Sequence, residues 1–351
     1  GPQVFGRLAA LIGRLTQSCF DPSHSRLHIY MDDPILAIRC RERDAHHNVA
    51  KAVLLWLCTG MDLAFAKGQF GSTVCWVGHD VSINRADRSV TAAIKQAFLQ
   101  DLLDEATNIM KVNTIKQKDL RSFTGKSNHV ASLVWTWKPF LDELWAAASA
   151  NPKSNAGKYK MWTKQVAGSL RWIIAFLSRE EGEISRTWSV ASHLTPAEFI
   201  ALVFDASPWG LGAVLYCNGV PVSFFSDPIT KHDEKRYKHS KGDHRGQQVW
   251  ESLAVLVALK TWGPQVMGKR FAWRVTIKGD NVTALTLVLR MKAPAGPLKA
   301  IAKEIAMTLK DSPYRPSCAC HIAGLTNTVA DALSRQFEPG VVDWQLPSEL
   351  I

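Results

Sequence analysis

Long apolar runs are missing from this chain. No stretch approaches the roughly 18 uninterrupted apolar residues of a membrane-spanning helix, and no secretory signal opens it, so neither a membrane protein nor an exported one is expected. Cysteine is sparse and unpatterned. Seven of them, an odd number at scattered spacing, argue against a disulfide framework and for reduced thiols in an intracellular compartment. Cys318, Cys320 and His321 lie close together, but no second ligand pair stands at zinc spacing. Internal repeats and low-complexity tracts are absent too. Acidic residues are in deficit, with 31 Asp and Glu against 42 Lys and Arg, and the resulting charge of +11 favours a polyanionic partner. The 46% hydrophobic and 21% charged content over 351 residues is that of an ordinary globular chain with room for two or three domains.

What is present centres on Phe199–Tyr216, FIALVFDASPWGLGAVLY. Ile200, Leu202 and Phe204 alternate with Ala201 and Val203, as in a strand packed on both faces, and the run ends in Asp205 before a turn of small residues. A lone Asp there is ordinarily an Asx turn. Three further acids stand in comparable places. Glu251 lies in GQQVWESLAVLVALKTW, where the 251/255/258/262 and 249/253/256 stripes both read as buried, so its carboxylate must be paired, protonated or bound to metal. Asp280 closes the alternation FAWRVTIKGDN before the helical pattern VTALTLVLRM, and Asp331 opens a short helix in HIAGLTNTVADALSR. The order strand, helix, strand, helix predicts convergence of the four acids on one site. Asn218-Gly219 between GAVLYC and VPVSFFS signals a two-residue hairpin. The expected result is an α/β domain: a three-stranded meander, the Glu251 helix, the Asp280 strand, further helices and a last strand near Cys318–Ile322, forming a mixed five-stranded sheet.

These segments resemble the ribonuclease H domain of retroelement polyproteins over roughly residues 196–338. The matches are FDASPWGLG, the Gln-rich lead into WESLAVLVAL, KGDNVTAL, and HIAGLTNTVADALSR, in which Ala323 replaces the usual proline. The resemblance implies an α/β ribonuclease H-like fold and two Mg2+ ions, replaceable by Mn2+, held by Asp205, Glu251, Asp280 and Asp331 with Asp205 bridging. Two divalent ions about 3.5–4 Å apart activate a water and stabilise the leaving oxygen of a phosphodiester, and magnesium prefers such oxygen ligands. His321, ten residues before Asp331, matches the histidine that assists proton transfer or product release.

The chain up to residue 150 resembles a reverse transcriptase. RLHIYMDDPILAIRC has the layout of a hairpin with two carboxylates at its tip; an arbitrary acid pair in a turn is ordinarily just solvated, but Tyr30-Met31-Asp32-Asp33 is similar to the palm signature, with Asp32 as metal ligand and Asp33 in support. In DLAFAKGQFGSTVCWVGHDVSIN, Lys67, Phe70, Gly78 and His79 resemble the hairpin that holds the primer end, with Trp76-Val77 in place of the usual apolar pair. DLRSFTGKSNHVASLVWTWKPFLDELWAAAS resembles a helical thumb through Leu120, Gly125, Lys126, Phe140 and Leu144. The resemblance implies nucleic-acid contacts at Tyr30, Met31, Trp76, Gly78, His79, Lys126, Asn281 and Asn327. Gly1-Pro2 reads as a cleaved-tag remnant or, with Phe5, as the segment before the palm turn. A second palm Asp and the fingers are not seen upstream of Tyr30, so polymerisation is expected only with those parts of the same polyprotein present.

The expected organisation is a partial palm (1–84), thumb (85–150), connection (151–195), ribonuclease H domain (196–338) and tail (339–351). Asn151–Lys160 reads as a linker, and KMWTKQVAGSLRWIIAFLSREEGEI as an amphipathic helix or two. Six of 13 tryptophans fall between Trp135 and Trp188 and read as core rather than base-stacking residues. Lys231–Arg245, with six Lys or Arg, three His and three acids, reads as a solvated loop able to meet the phosphates of an RNA–DNA hybrid. The expected activity is hydrolysis of the RNA strand of hybrids, with primer–template as a further partner in the polymerase. Two alternatives stand: a domesticated or decayed relative that binds nucleic acid without cutting it, and another nuclease or transposase of the same fold superfamily. The Tyr-Met-Asp-Asp-Pro tip and Trp-rich connection resemble DIRS-type more than gypsy-type elements.

Overall fold

The computed structural model describes residues 2–150, 159–180, 184–189, 199–266, 274–293, 296–310 and 318–351. The chain divides into two compact units, Gly1–Ile83 and Asn84–Ile351. In the first, α1 (Pro2–Ser18) leads into the antiparallel hairpin of β1 (Ser25–Tyr30) and β2 (Asp33–Ile38), then α2 (Glu42–Cys58) and a second hairpin of β3 (Thr73–Trp76) and β4 (His79–Asn84). Gln17 ties α1 to the edge of β1, donating to the Ser25 carbonyl at 3.0 Å and accepting from the Leu27 N–H at 2.8 Å. Trp56 Nε1 donates to Thr16 Oγ1 at 2.8 Å and joins α2 to α1.

The second unit begins with β5 (Ser89–Ile94) and α3 (Gln96–Lys111), followed by β6 (Thr114–Lys116), α4 (Gln117–Leu133), α5 (Lys138–Ser149), β7 (Lys160–Trp162), α6 (Ala167–Leu177) and β8 (Arg186–Ser189). The helices enclose Leu102, Leu120, Phe123, Leu144, Leu170 and Ile173, all essentially inaccessible to water. Residues 160–162 depart from the helix expected there. They extend as β7 because β6 offers an edge, and the Thr163 N–H continues the pairing to the Asn113 carbonyl at 3.0 Å. The linker expected over Asn151–Lys160 lies outside the described residues as far as 158.

The sheet that follows has the order β11-β10-β9-β12-β13. β9 (Phe199–Ala206), β10 (Gly210–Cys217) and β11 (Val220–Pro228) form the expected antiparallel meander, closed by Asn218 and Gly219 at φ 52° and 85°, the left-handed pair of a primed hairpin turn. After α7 (Lys231–Tyr237) and α8 (Gln247–Val266), β12 (Arg274–Gly279) joins β9 in parallel, and after α9 (Val282–Arg290) and α10 (Pro297–Thr308), β13 (Cys318–His321) joins β12 in parallel. The last helix, α11 (Thr328–Arg335), lies across β10 and β9. Both stripes of α8 are buried, from Val249 to Trp262.

The Lys231–Arg245 stretch is not wholly loop. Its first half is α7, opened by a capping box in which Thr230 and Asp233 satisfy each other's backbone N–H groups, and anchored by the buried Tyr237. The aromatic residues between 135 and 188 are largely structural. Phe140 and Trp172 stack at 3.7 Å, Trp137 meets Trp172 edge-on, and the Trp172 N–H reaches Met307 Sδ on α10. Lys303 completes this seam, 2.8 Å from Glu143 Oε2 and 5.6 Å above the Phe140 ring. Helices α5 and α6 are thereby joined to the helical layer of the five-stranded sheet. Trp172→Ala is expected to destabilise the second unit by about 3 kcal/mol and to shift the urea transition of sheet and helices together; two transitions, only one of them shifted, would show the seam to be energetically idle.

Candidate active site

The local rules of each element bring the acids together. β9 ends at Ala206, so Asp205 stands at its end, and the parallel register Lys278↔Val203, continued two places, sets Asp280 beside it. β12 stops there because Asn281 caps α9, its side chain accepting from the N–H groups of Thr283 and Ala284 at 3.0 and 3.1 Å. Glu251 lies one turn into α8, which packs on β9. Asp205, Glu251 and Asp280 each offer a carboxylate oxygen within 4.8 Å of the others, and no other group of three possible metal ligands is found among the described residues.

Asp331 approaches from α11. It is close enough for its charge to act on Asp205, while Arg335 Nε donates to its Oδ1 at 2.7 Å. His321 is exposed at the end of β13, opposite Gly279 in the parallel register and so next to Asp280. A Cβ at Gly324 would lie 3.1 Å from Asp280 Oδ2, so the loop after β13 passes directly over that carboxylate.

The burial is severe for charged groups. Asp205 is 4% and Glu251 3% exposed. Burial pushes the Asp205 carboxyl up to about 7, with the Asp280 and Asp331 charges adding to the rise and the Ser334 hydrogen bond, 2.9 Å to Oδ2, opposing it. Burial likewise raises Glu251 well above the ordinary glutamate value, with Asp205 and Asp280 adding to it. Glu251 Oε2 is buried without a hydrogen-bond partner, which for a neutral acceptor alone costs about 1–3 kcal/mol. Crowded carboxylates with an orphaned oxygen fit a divalent cation with hard oxygen ligands, such as Mg2+ or Mn2+.

Residues that sequence reasoning does not single out support this cluster. Ser334 is fully buried and bonds both Asp205 and the Asp331 carbonyl, and Ser207 Oγ holds the Ser334 carbonyl at 2.7 Å. Gln247 donates to Glu251 Oε1 at 3.0 Å and to the Ala206 carbonyl. The spacing of Gln247 and Glu251, four residues apart on a helix, is the available signal. Asn327, expected to touch nucleic acid, is instead 3% exposed, with its amide on the Phe204 carbonyl at 3.0 Å. Asn281, expected likewise, has its side-chain oxygen engaged in the α9 cap.

In the first unit, Tyr30 pairs with Asp33, leaving Met31 (φ 57°) and Asp32 as a two-residue turn with both acids exposed. Tyr30 and Met31 are exposed as well. The second hairpin turns at Val77 and Gly78, with His79 opposite Trp76, and Trp76 Nε1 donates to the Asp33 carbonyl at 2.9 Å. The acid pair and the second hairpin are therefore in contact. Asp32 and Asp33 belong to no group of three possible ligands among the described residues. In the second unit, Lys126 pairs with Glu105 at 2.8 Å on the surface of the helical bundle.

No family model matches the chain, and no curated protein does. Among solved structures it is similar to a foamy viral protease-reverse transcriptase in complex with double-stranded DNA, at 15% identity over 92% of this chain and 48% of that one, with a TM-score of 0.40. It is also similar to RNase H1 from the halophilic archaeon Halobacterium salinarum NRC-1, at 19% identity over 38% of this chain and 93% of that one, with a TM-score of 0.28, and to LC11-RNase H1 from compost, at 19% over 40% and 93%, with a TM-score of 0.29. The chain spans about half the length of the foamy viral structure. By its own strand order and connectivity, the mixed five-stranded sheet with flanking helices is ribonuclease H-like.

Proposed function

We propose that this chain is a ribonuclease H that hydrolyses the RNA strand of RNA–DNA hybrids, and that it is part of a retroelement RNA-directed DNA polymerase whose partial palm and thumb precede the nuclease. The observation that carries the reading is the meeting of Asp205, Glu251 and Asp280 within 4.8 Å, from three separate core elements, with Asp331 at their side. These four acids would hold two divalent ions, which supply a nucleophilic water at neutral pH and neutralise charge at the leaving oxygen. The chain's own contribution is placement. Asp205 is fixed by Ser334; Asp280 lies under the loop of Gly324; and exposed His321, beside Asp280 in the register, would pass a proton between solvent and the product. The charge of +11 supports a polyanionic substrate, and Lys238, Lys241 and Arg245, on the loop leading into the Glu251 helix, would meet its phosphates without sequence preference. The Tyr30–Asp33 tip is the corresponding candidate for primer–template contact and for the polymerase metal.

Cleavage of a labelled hybrid in Mg2+ tests this. The wild-type chain is expected to cut the RNA strand and to leave single-stranded and double-stranded RNA intact, and Asp280→Asn to abolish cutting while the protein stays folded. A wild-type chain that binds hybrid yet leaves it whole in both Mg2+ and Mn2+ would instead be a nucleic-acid-binding scaffold.

A further inference from the structure

Two carboxamides grip the acid site in the same way from opposite sides of Asp205. Gln247, at the start of α8, donates to the Ala206 carbonyl and to Glu251 Oε1 at 3.0 Å. Asn327, just before α11, donates to the Phe204 carbonyl at 3.0 Å and lies 3.5 Å from Asp205 Oδ1. Phe204 and Ala206 are the two neighbours of Asp205, so the main chain is held on either side of that residue. Each amide thus faces a backbone carbonyl, of Ala206 or of Phe204, which can only accept. Each must therefore turn its NH2 group towards it, and neither can be reversed without opposing oxygen to oxygen. This leaves Gln247 Oε1 and Asn327 Oδ1 as buried acceptors without a partner, alongside Glu251 Oε2. Three unmatched oxygens beside a carboxylate cluster ask for donors, and water held by a cation is such a donor.

We propose that Gln247 and Asn327 form a carboxamide clamp: positioning residues that set the orientation of the Glu251 and Asp205 carboxylates for divalent-metal binding. The proposal rests on the reading of the acid cluster as a metal site. It separates geometry from charge, because converting either amide to a carboxylate adds a negative charge beside the acids but destroys the donor. Charge alone predicts tighter cation binding; the clamp predicts weaker.

The test is calorimetric titration of the full chain with Mn2+, with Asp205→Asn locating the signal at this site and urea unfolding in EDTA reporting the fold. Gln247→Glu and Gln247→Met are expected to weaken Mn2+ binding by about tenfold or more, while Gln248→Glu, at the exposed next position, leaves it within about twofold or tightens it. Gln247 is only half-buried at a helix start, where a carboxylate is tolerated, so these variants carry the test even if Asn327→Asp, expected to behave the same way, unfolds. Gln247→Glu binding Mn2+ as tightly as wild type or tighter would overturn the clamp. An Mn2+ isotherm that Asp205→Asn leaves unchanged would overturn the metal reading and the clamp with it. Binding that Asp205→Asn removes, together with an uncut hybrid, would fail the nuclease reading alone.

Discussion

Asp205→Asn is expected to make the metal-free protein more stable at pH 8 than the wild type while eliminating hydrolysis when Mg2+ is present. The sign follows from the raised carboxyl. In the unfolded chain Asp205 releases its proton near the ordinary value of 3.8, whereas in the fold burial and the neighbouring acids hold it to about 7. Between those values the folded state binds more protons, so its stability falls as pH rises and levels off above 7. A shift of about three pH units corresponds to about 4 kcal/mol. An amide at this position carries no such penalty, and loss of the Asp205 charge also relieves Glu251, on which that charge acts. The advantage of the variant should therefore be larger at pH 8 than at pH 5, and should vanish only below the ordinary value of 3.8, when both proteins are melted in EDTA. Added Mg2+ should reverse the order at pH 8, because only the wild type gains ligand stabilisation. Equal pH dependence for the two proteins in EDTA would show that Asp205 does not titrate abnormally.

Gly212→Ala should damage both stability and site at once. A Cβ there would lie against the Ala330 carbonyl oxygen, 2.7 Å from the Ser334 nitrogen and 2.8 Å from Leu333 Cβ. Two of these are backbone atoms of α11, so the strain cannot be relieved by turning a flexible side chain. The helix must lift from β10, carrying with it Ser334, which holds Asp205, and Asp331. Overpacking of this kind costs about 1–3 kcal/mol, and a displacement near 1 Å can lower a catalytic rate on the order of a hundredfold. Gly219→Ala is the control. It sits at φ 85° with nothing near the added carbon, so it should cost about 1–2 kcal/mol and leave cleavage of hybrid unchanged. If Gly212→Ala melts and cuts like wild type, α11 is not seated on β10 as described.

Asp205, Asp280 and Glu251 are legible because each lies where a local rule is broken, at the end of an apolar alternation or inside a helix otherwise buried on both stripes, whereas Asp331, ion-paired in the first turn of α11, is legible only through the motif HIAGLTNTVADALSR. The Asn218-Gly219 hairpin is legible because its backbone demands residues tolerant of positive φ. The capping box at Thr230 and Asp233 is also a local signal, but it is masked by the charge density of Lys231–Arg245, which reads as loop. Asn327 is placed by family pattern on the nucleic-acid surface, and only the packing of α11 against β9 puts it in the interior.

Sequence alone determined which residues alternate and which turn, and so the strands of the five-stranded sheet, the Glu251 helix and the four carboxylates they and the last helix carry. Those are interactions between residues a few positions apart. Tertiary structure alone decided that Gly212 is a seat for α11, that Ser334 holds Asp205, and that Gln247 and Asn327 grip the chain on either side of it. Each of these depends on β9 lying at the centre of the sheet between β10 and β12, with α8 and α11 packed on it. Contacts across such separations follow from how the layers bury their apolar faces against one another, and no local periodicity encodes them.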